Sequence, residues 1–164
     1  MSKQEKNIIF ALMLVLALMV GALVVVPAAV GNRTVTGEFV APDFDPAAVT
    51  GVPAIADEAR LYSQLQMGDH IRLALCGSPL VTDAGLELYL TSDSSNVAWL
   101  LVKVYDENGT ELGRSGLVRP GEYVQSVALE KSVTSGTVVT LKILSYEPET
   151  YYSLGSASAQ LQIG

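Results

Sequence analysis

The sequence predicts an all-β antiparallel sandwich head behind a single N-terminal transmembrane helix and an extended linker. Three observations predict this arrangement: a long apolar run near the N-terminus, a stretch rich in proline and glycine after it, and short alternating segments from about residue 69. The expected organisation is a cytoplasmic N-terminus at 1–7, a transmembrane helix at 8–30, a stalk at 31–68 and a β-sandwich domain at 69–164.

The apolar run at residues 8–30 contains 23 uncharged residues. As a helix it would span about 34 Å, against about 30 Å for the hydrocarbon core of a bilayer. Lys3 and Lys6 precede it, which favours a cytoplasmic N-terminus and an extracellular head. The alternative is a signal peptide cleaved after Gly31, but the length of the run favours an uncleaved anchor. Both interpretations place the head outside the cytoplasm, at or beyond the cell membrane.

The stalk is expected to be extended and to hold the head away from the bilayer. Pro42, Pro46 and Pro53 disfavour helix, and the apolar residues between them show no period. At its end, residues 58–67 fit both a strand and a helix, and we interpret them as a first strand or a short lead-in to the domain.

The head contains six short segments that alternate apolar and polar positions, the period of strands with one buried face. These segments are residues 71–76, 86–91, 99–105, 123–129, 138–144 and 156–163. The residues expected to face the core are Ile71, Leu73, Leu75, Leu86, Leu88, Leu90, Leu100, Val102, Val104, Val139, Leu141, Ile143, Leu161 and Ile163. Six or seven strands in roughly 95 residues are typical of an immunoglobulin-like antiparallel β-sandwich.

Two turn signals lie between these segments. Asn108-Gly109 predicts a hairpin, because both residues accept positive φ. Pro120-Gly121 predicts a type II turn. The acidic run at 106–109 does not match a calcium loop, whose ligands alternate and whose glycine comes later. Arg114 and Arg119 are expected to pair with neighbouring glutamates rather than to bind an anion.

Charge and cysteine content exclude several function classes. Residues 32–164 carry 8 basic and 16 acidic side chains, a net charge of −8, which disfavours nucleic acid as a partner. Cys76 and His70 are the only cysteine and histidine, so a disulfide and a four-ligand zinc site are both excluded. Cys76 is expected to be a buried thiol. No cofactor or metal ion is expected.

The sequence offers one candidate ligand-binding site, in which aromatic and acidic side chains could hold a sugar or a peptide. Its members are Trp99, Glu147, Glu149, Tyr151 and Tyr152. The favoured alternative is structural: the tyrosines cover the edge of the core and the glutamates are solvated. Catalysis would depend on the two glutamates or on His70, and no G-x-S-x-G motif is present, so we expect a protein that is not an enzyme.

Three stretches carry a resemblance to a known group of proteins: "LALCGSPLV", "LELYLTSDSSNVAWLLVKVYDENGTELGRSGLVRPGEYVQSV" and "VVTLKILSYEPETYYSLGSA". They resemble small membrane-anchored extracytoplasmic proteins of Gram-positive, Clostridia-type bacteria. The resemblance implies one membrane helix, a proline-containing linker and one β-sandwich head, and it implies no particular biochemical activity.

The expected function is therefore a non-enzymatic, membrane-anchored surface protein whose head makes protein–protein contacts. An exposed sheet edge is the expected contact surface, and the final strand, "SASAQLQI", is the candidate edge. The alternative function is a carbohydrate-binding surface module that uses Trp99 or the loop at 146–152.

Overall fold

The structure, a computed structural model, describes residues 39–55, 62–68 and 71–164. Within these residues every regular element is a β-strand, and none is a helix that could cross a membrane. The predicted membrane segment at residues 8–30 lies outside the described part. The strands are β1 (Val49–Thr50), β2 (Tyr62–Met67), β3 (Ile71–Cys76), β4 (Leu80–Thr82), β5 (Gly85–Ser92), β6 (Trp99–Tyr105), β7 (Glu111–Arg114), β8 (Glu122–Val127), β9 (Val138–Tyr146) and β10 (Ser153–Gln162).

These strands form two antiparallel sheets. Sheet A has the order β1-β8-β5-β3-β2, with β4 beside the first half of β5. Sheet B has the order β10-β9-β6-β7. The arrangement confirms the predicted all-β class and is that of a sandwich.

The core lies between the sheets and consists of the side chains that the alternation places inward. Leu86, Leu100, Val102 and Leu141 are completely or almost completely buried, and so are most of their inward neighbours. Each such side chain contributes about 1.5–3 kcal/mol through removal from water. Cys76 is also completely buried, which confirms the prediction of a buried thiol. Its Sγ donates a hydrogen bond to the Ser78 carbonyl at 3.4 Å.

The beginning of the sandwich differs from the predicted start at residue 69. Phe44 bridges Leu117 in parallel, and the Asp45 N–H donates to the Leu117 carbonyl at 2.9 Å. The strand β1 then pairs with β8. The strand β2 pairs with β3 over its full length, which confirms the strand interpretation of the segment at 58–67 for residues 62–67. Parts of the predicted stalk therefore belong to the sheets. Proline suits such short edge segments as well as it suits a linker, so composition could not separate the two.

Both predicted turns are present, and one has a different geometry. At the Pro120-Gly121 turn, Gly121 has a φ of 77° and the Glu122 N–H donates to the Arg119 carbonyl at 3.1 Å, which confirms type II. At the 106–109 hairpin only the glycine, Gly109, has positive φ, at 78°. The loop between β6 and β7 is longer than a two-residue turn. The pairing shifts by one residue beside Tyr105, where β7 forms a bulge, since Val104 pairs with Gly113 and Tyr105 pairs with Glu111.

Candidate functional site

One side of the sandwich ends in three strands without charge or proline. On sheet B the edge is β10, ten residues of sequence SLGSASAQLQ that are mostly exposed. On sheet A the edge consists of β2, with the sequence YSQLQM, and the shorter β4, with the sequence LVT, and β10 approaches β2. Natural proteins usually interrupt exposed edges with charges, proline or a covering segment, because unpaired backbone groups attract other strands. We call this the open side.

The opposite side of the sandwich carries these protections. The strand β1 is two residues long. The strand β7 is four residues long, and its outer side is partly covered because Gly113 bridges Leu129 and the Glu130 N–H donates to the Leu112 carbonyl at 2.7 Å. The two sides of the domain are therefore built differently, and among the residues that the structure describes only the open side presents a long unguarded edge.

Hydrogen-bond direction identifies which residues of β10 face the free edge. Leu100 and Val118 exchange two backbone hydrogen bonds, at 3.0 and 2.8 Å, and successive residues of a strand direct these groups to opposite sides. The backbone groups of Leu100 point away from β9, so those of Leu101 point toward it and bond to Leu144. The next residue of β9, Ile143, therefore directs its N–H and C=O groups toward β10, where it bonds to Ala157. The residues whose N–H and C=O groups point outward are Ser156, Ser158, Gln160 and Gln162.

An aromatic cluster lies at the end of sheet B where β10 begins. The Phe44 and Trp99 rings meet edge to face, with centroids 4.8 Å apart, and Tyr151 meets Trp99 at 5.4 Å. The Arg119 guanidinium lies 3.5 Å from the centroid of the Phe44 ring. The structure thus brings together two of the predicted site residues, Trp99 and Tyr151. The cluster also contains Phe44 and Arg119, which were predicted to lie in the stalk and in a turn.

The remaining predicted site residues lie on the β9–β10 loop at 147–152. The Glu147 carboxylate accepts the Thr150 hydroxyl at 2.6 Å, and the Glu147 backbone bonds to Tyr151 and Tyr152, so this glutamate closes its own loop. Glu149 and Tyr151 have positive φ, 67° and 58°, which is costly for side chains of this size. Tyr152 is 72% exposed.

A groove of about 690 Å³ crosses the outer face of sheet A, lined by Tyr62, Gln64, Arg72, Thr91 and Ser94 among others. The Tyr62 hydroxyl donates to Thr91 Oγ1 at 2.6 Å, and partial burial raises the pKa of Tyr62.

The described residues include no group of three acidic, histidine or cysteine side chains able to hold a metal ion. His70, the one histidine, lies outside them.

The arginines of the turn region pair with glutamates, as the sequence predicted. Arg114 Nε lies 2.6 Å from Glu111, and the Arg119 guanidinium lies 3.4 Å from Glu122. In the 106–109 turn, the Asp106 carboxylate accepts the N–H groups of Asn108 at 2.9 Å and Thr110 at 2.8 Å. Its oxygen therefore serves the turn itself, which is a structural role.

Comparisons of the chain with protein-family models, with curated proteins and with solved structures found no match.

Proposed function

We propose that this chain is a non-enzymatic, membrane-anchored surface protein whose immunoglobulin-like head captures a β-strand of a partner protein along β10. The observation that carries the proposal is the contrast between the two sides of the sandwich. One side has short and covered edges, whereas the open side ends in a ten-residue strand with neither charge nor proline.

Strand addition fits the chemistry of this edge. Four residues of β10 direct both backbone groups outward, which offers about eight hydrogen-bonding groups to an incoming strand. Backbone bonds supply affinity in this mode of recognition, and side chains beside the edge supply selectivity. The side chains of these four residues are Ser and Gln, so none of them repels or blocks an approaching strand.

The proposed location follows from the apolar run at residues 8–30 and from the resemblance to membrane-anchored extracytoplasmic proteins. To test this location, whole cells are treated with an external protease and their membranes are washed with carbonate. The intact mass of the chain that remains in the membranes is then measured. Loss of the head with retention of the N-terminal segment would support an outward-facing anchor. A soluble chain that begins at Asn32 would contradict it.

The edge is tested with Ser158→Pro, which removes one outward N–H and leaves the hydrogen bonds between β9 and β10 in place. Ser158→Thr is the matched control because it keeps the N–H. A photo-crosslinking side chain at Gln160 reports partners on whole cells. We expect crosslinked products with the wild type and the threonine variant, and loss of these products with the proline variant at unchanged thermal stability. Equal crosslinking by all three would refute capture at β10.

A second candidate function is carbohydrate binding by the aromatic cluster. It is favoured by the exposed Tyr152 next to Tyr151 and Trp99, because aromatic rings form platforms for sugar rings. Binding on a glycan array that is lost in Tyr152→Ala and kept in Tyr105→Ala would support it. Absence of binding at millimolar glycan would eliminate it.

A further inference from the structure

A row of basic side chains crosses the outer face of sheet B and ends at the open edge. Lys103 lies opposite Arg114 on one side and opposite Lys142 on the other, and Lys142 lies opposite Ser158 of β10. The row is therefore Arg114–Lys103–Lys142–Ser158. Like charges directly opposite each other destabilise a sheet.

Among the residues that the structure describes, a single carboxylate compensates this row. Glu111 contacts Lys103 at 3.0 Å and Arg114 at 2.6 Å. Burial raises the pKa of Glu111, but the neighbouring Lys103 and Arg114 outweigh it and hold the pKa below its usual value, so Glu111 is charged. The exposed Lys142 has no ion pair among the described residues. Three cations and one anion leave a local charge of about +2 within residues 32–164, whose net charge is −8.

The geometry connects Lys142 to whatever pairs with β10. A strand added to β10 would place one residue opposite Ser158, on the same face of the sheet as Lys142. That residue would lie two strand spacings, or about 10 Å, from Lys142. Ser158 between them is small, and the flexible four-carbon stem of lysine can extend its ammonium group across it.

We propose that β10 selects an acidic partner strand, one that carries a carboxylate opposite Ser158 for Lys142 to neutralise. This inference rests on the proposed capture of a strand at β10 and names the chemistry of its partner. A lysine at the same position would meet the basic row and be repelled, so the row discriminates as well as attracts.

The same row disfavours a second copy of this chain as the occupant. Two β10 strands paired with each other bring no carboxylate to Lys142, because β10 contains no charged residue. We therefore take the occupant to be an acidic strand of a different protein.

The test uses the full-length chain in detergent and three synthetic peptides. Each peptide is an extended nine-residue sequence of alternating Thr and Val with one central residue, which is Glu, Gln or Lys. Affinities are measured by fluorescence anisotropy at low and high salt. Lys142→Gln is the test variant. The control is Lys131→Gln, which removes the same charge from an exposed position in the β8–β9 connection.

We expect the Glu peptide to bind the wild type about two- to fivefold more tightly than the Gln peptide, with the Lys peptide weakest, as for an exposed ion pair. The Glu preference should fall to about one in Lys142→Gln, persist in Lys131→Gln, and shrink in high salt.

Four results would overturn the inference, and they separate it from the proposed function. Binding of all three peptides with equal affinity would refute the charge preference and leave strand capture intact. A Glu preference that survives in Lys142→Gln would assign the selection to other residues. Failure of every peptide would refute both the acidic partner and the capture of a strand by β10. Separately, a concentration-dependent dimer in ultracentrifugation that Ser158→Pro abolishes would show a second copy of the chain, not an acidic partner, at this edge.

Discussion

The contact between Gly116 and the segment that begins the sandwich offers a sharp test of the fold. A Cβ atom at Gly116 would lie 2.5 Å from both Cα and N of Asp45 and 2.8 Å from the carbonyl carbon of Phe44. These are backbone atoms and cannot rotate away. Gly116 does not have positive φ, so its backbone accepts alanine and the contact alone opposes Gly116→Ala.

The cost of this substitution follows from the hydrogen bonds that separation would break. Gly116 N–H donates to Asp45 Oδ2 at 2.8 Å, Asp45 N–H to the Leu117 carbonyl at 2.9 Å, and Leu117 N–H to the Asp43 carbonyl at 2.9 Å. At about 1 kcal/mol each, the three bonds total about 3 kcal/mol. For a domain of this size the melting temperature should fall by about 10 °C.

The assay is urea unfolding followed by the fluorescence of Trp99, the only tryptophan, whose ring contacts Phe44. Gly116→Ala should also change the native emission, because Phe44 moves away. The control is Gly136→Ala, because a Cβ atom at Gly136 would have no atom within 4 Å. Only the left-handed backbone of Gly136 opposes this substitution, at a cost of about 1–2 kcal/mol, and the native emission should not change. If Gly116→Ala unfolds within about 0.5 kcal/mol of the wild type with normal emission, the segment is not part of the domain.

Two further predictions concern polar groups that hold loops to strands. Asn96 bonds to both backbone groups of Arg72, at 2.8 and 2.7 Å, and to Ser92 Oγ at 3.0 Å. Asn96→Ala should therefore cost about 2–4 kcal/mol in urea unfolding, and a loss below about 0.5 kcal/mol would contradict this role. The Thr110 N–H holds the pKa of Asp106 below its ordinary value. The stability that ionised Asp106 contributes is thus complete above its unfolded pKa of about 3.9 and lost as pH falls through the lower folded value. Thermal unfolding from pH 6 to 2 should show a shallower acid loss in Asp106→Asn, and an unchanged slope would contradict it.

Much of the interior of the head was predictable from alternation, although the core residues Val118, Val124 and Val127 were not assigned by it. Leu86, Leu88 and Leu90 share one parity in the sequence and one face in the structure, and the same holds for the inward residues of β3, β6 and β9. The pairing of Phe44 with Leu117 was not predictable, since an isolated bridge has no period to recognise.

The candidate surfaces depend on neighbours that lie far apart in the chain. Trp99 and Tyr151 were identified by residue type, but their contact with Phe44 and Arg119 follows from a bridge between residues 44 and 117. The position of β10 at a sheet edge agrees with its selection as the candidate edge. The basic row depends on the register of four strands, β7, β6, β9 and β10, which no local pattern encodes.

The burial of Cys76 has a practical consequence for labelling chemistry. Its thiol is the only one in the chain and is completely buried in the folded head. In Ser158→Cys the new thiol would therefore be the one that reagents reach in the folded head. A crosslinker or fluorophore could be attached to it without first replacing Cys76. In the wild-type protein, the rate at which a thiol reagent modifies Cys76 would measure how often β3 opens.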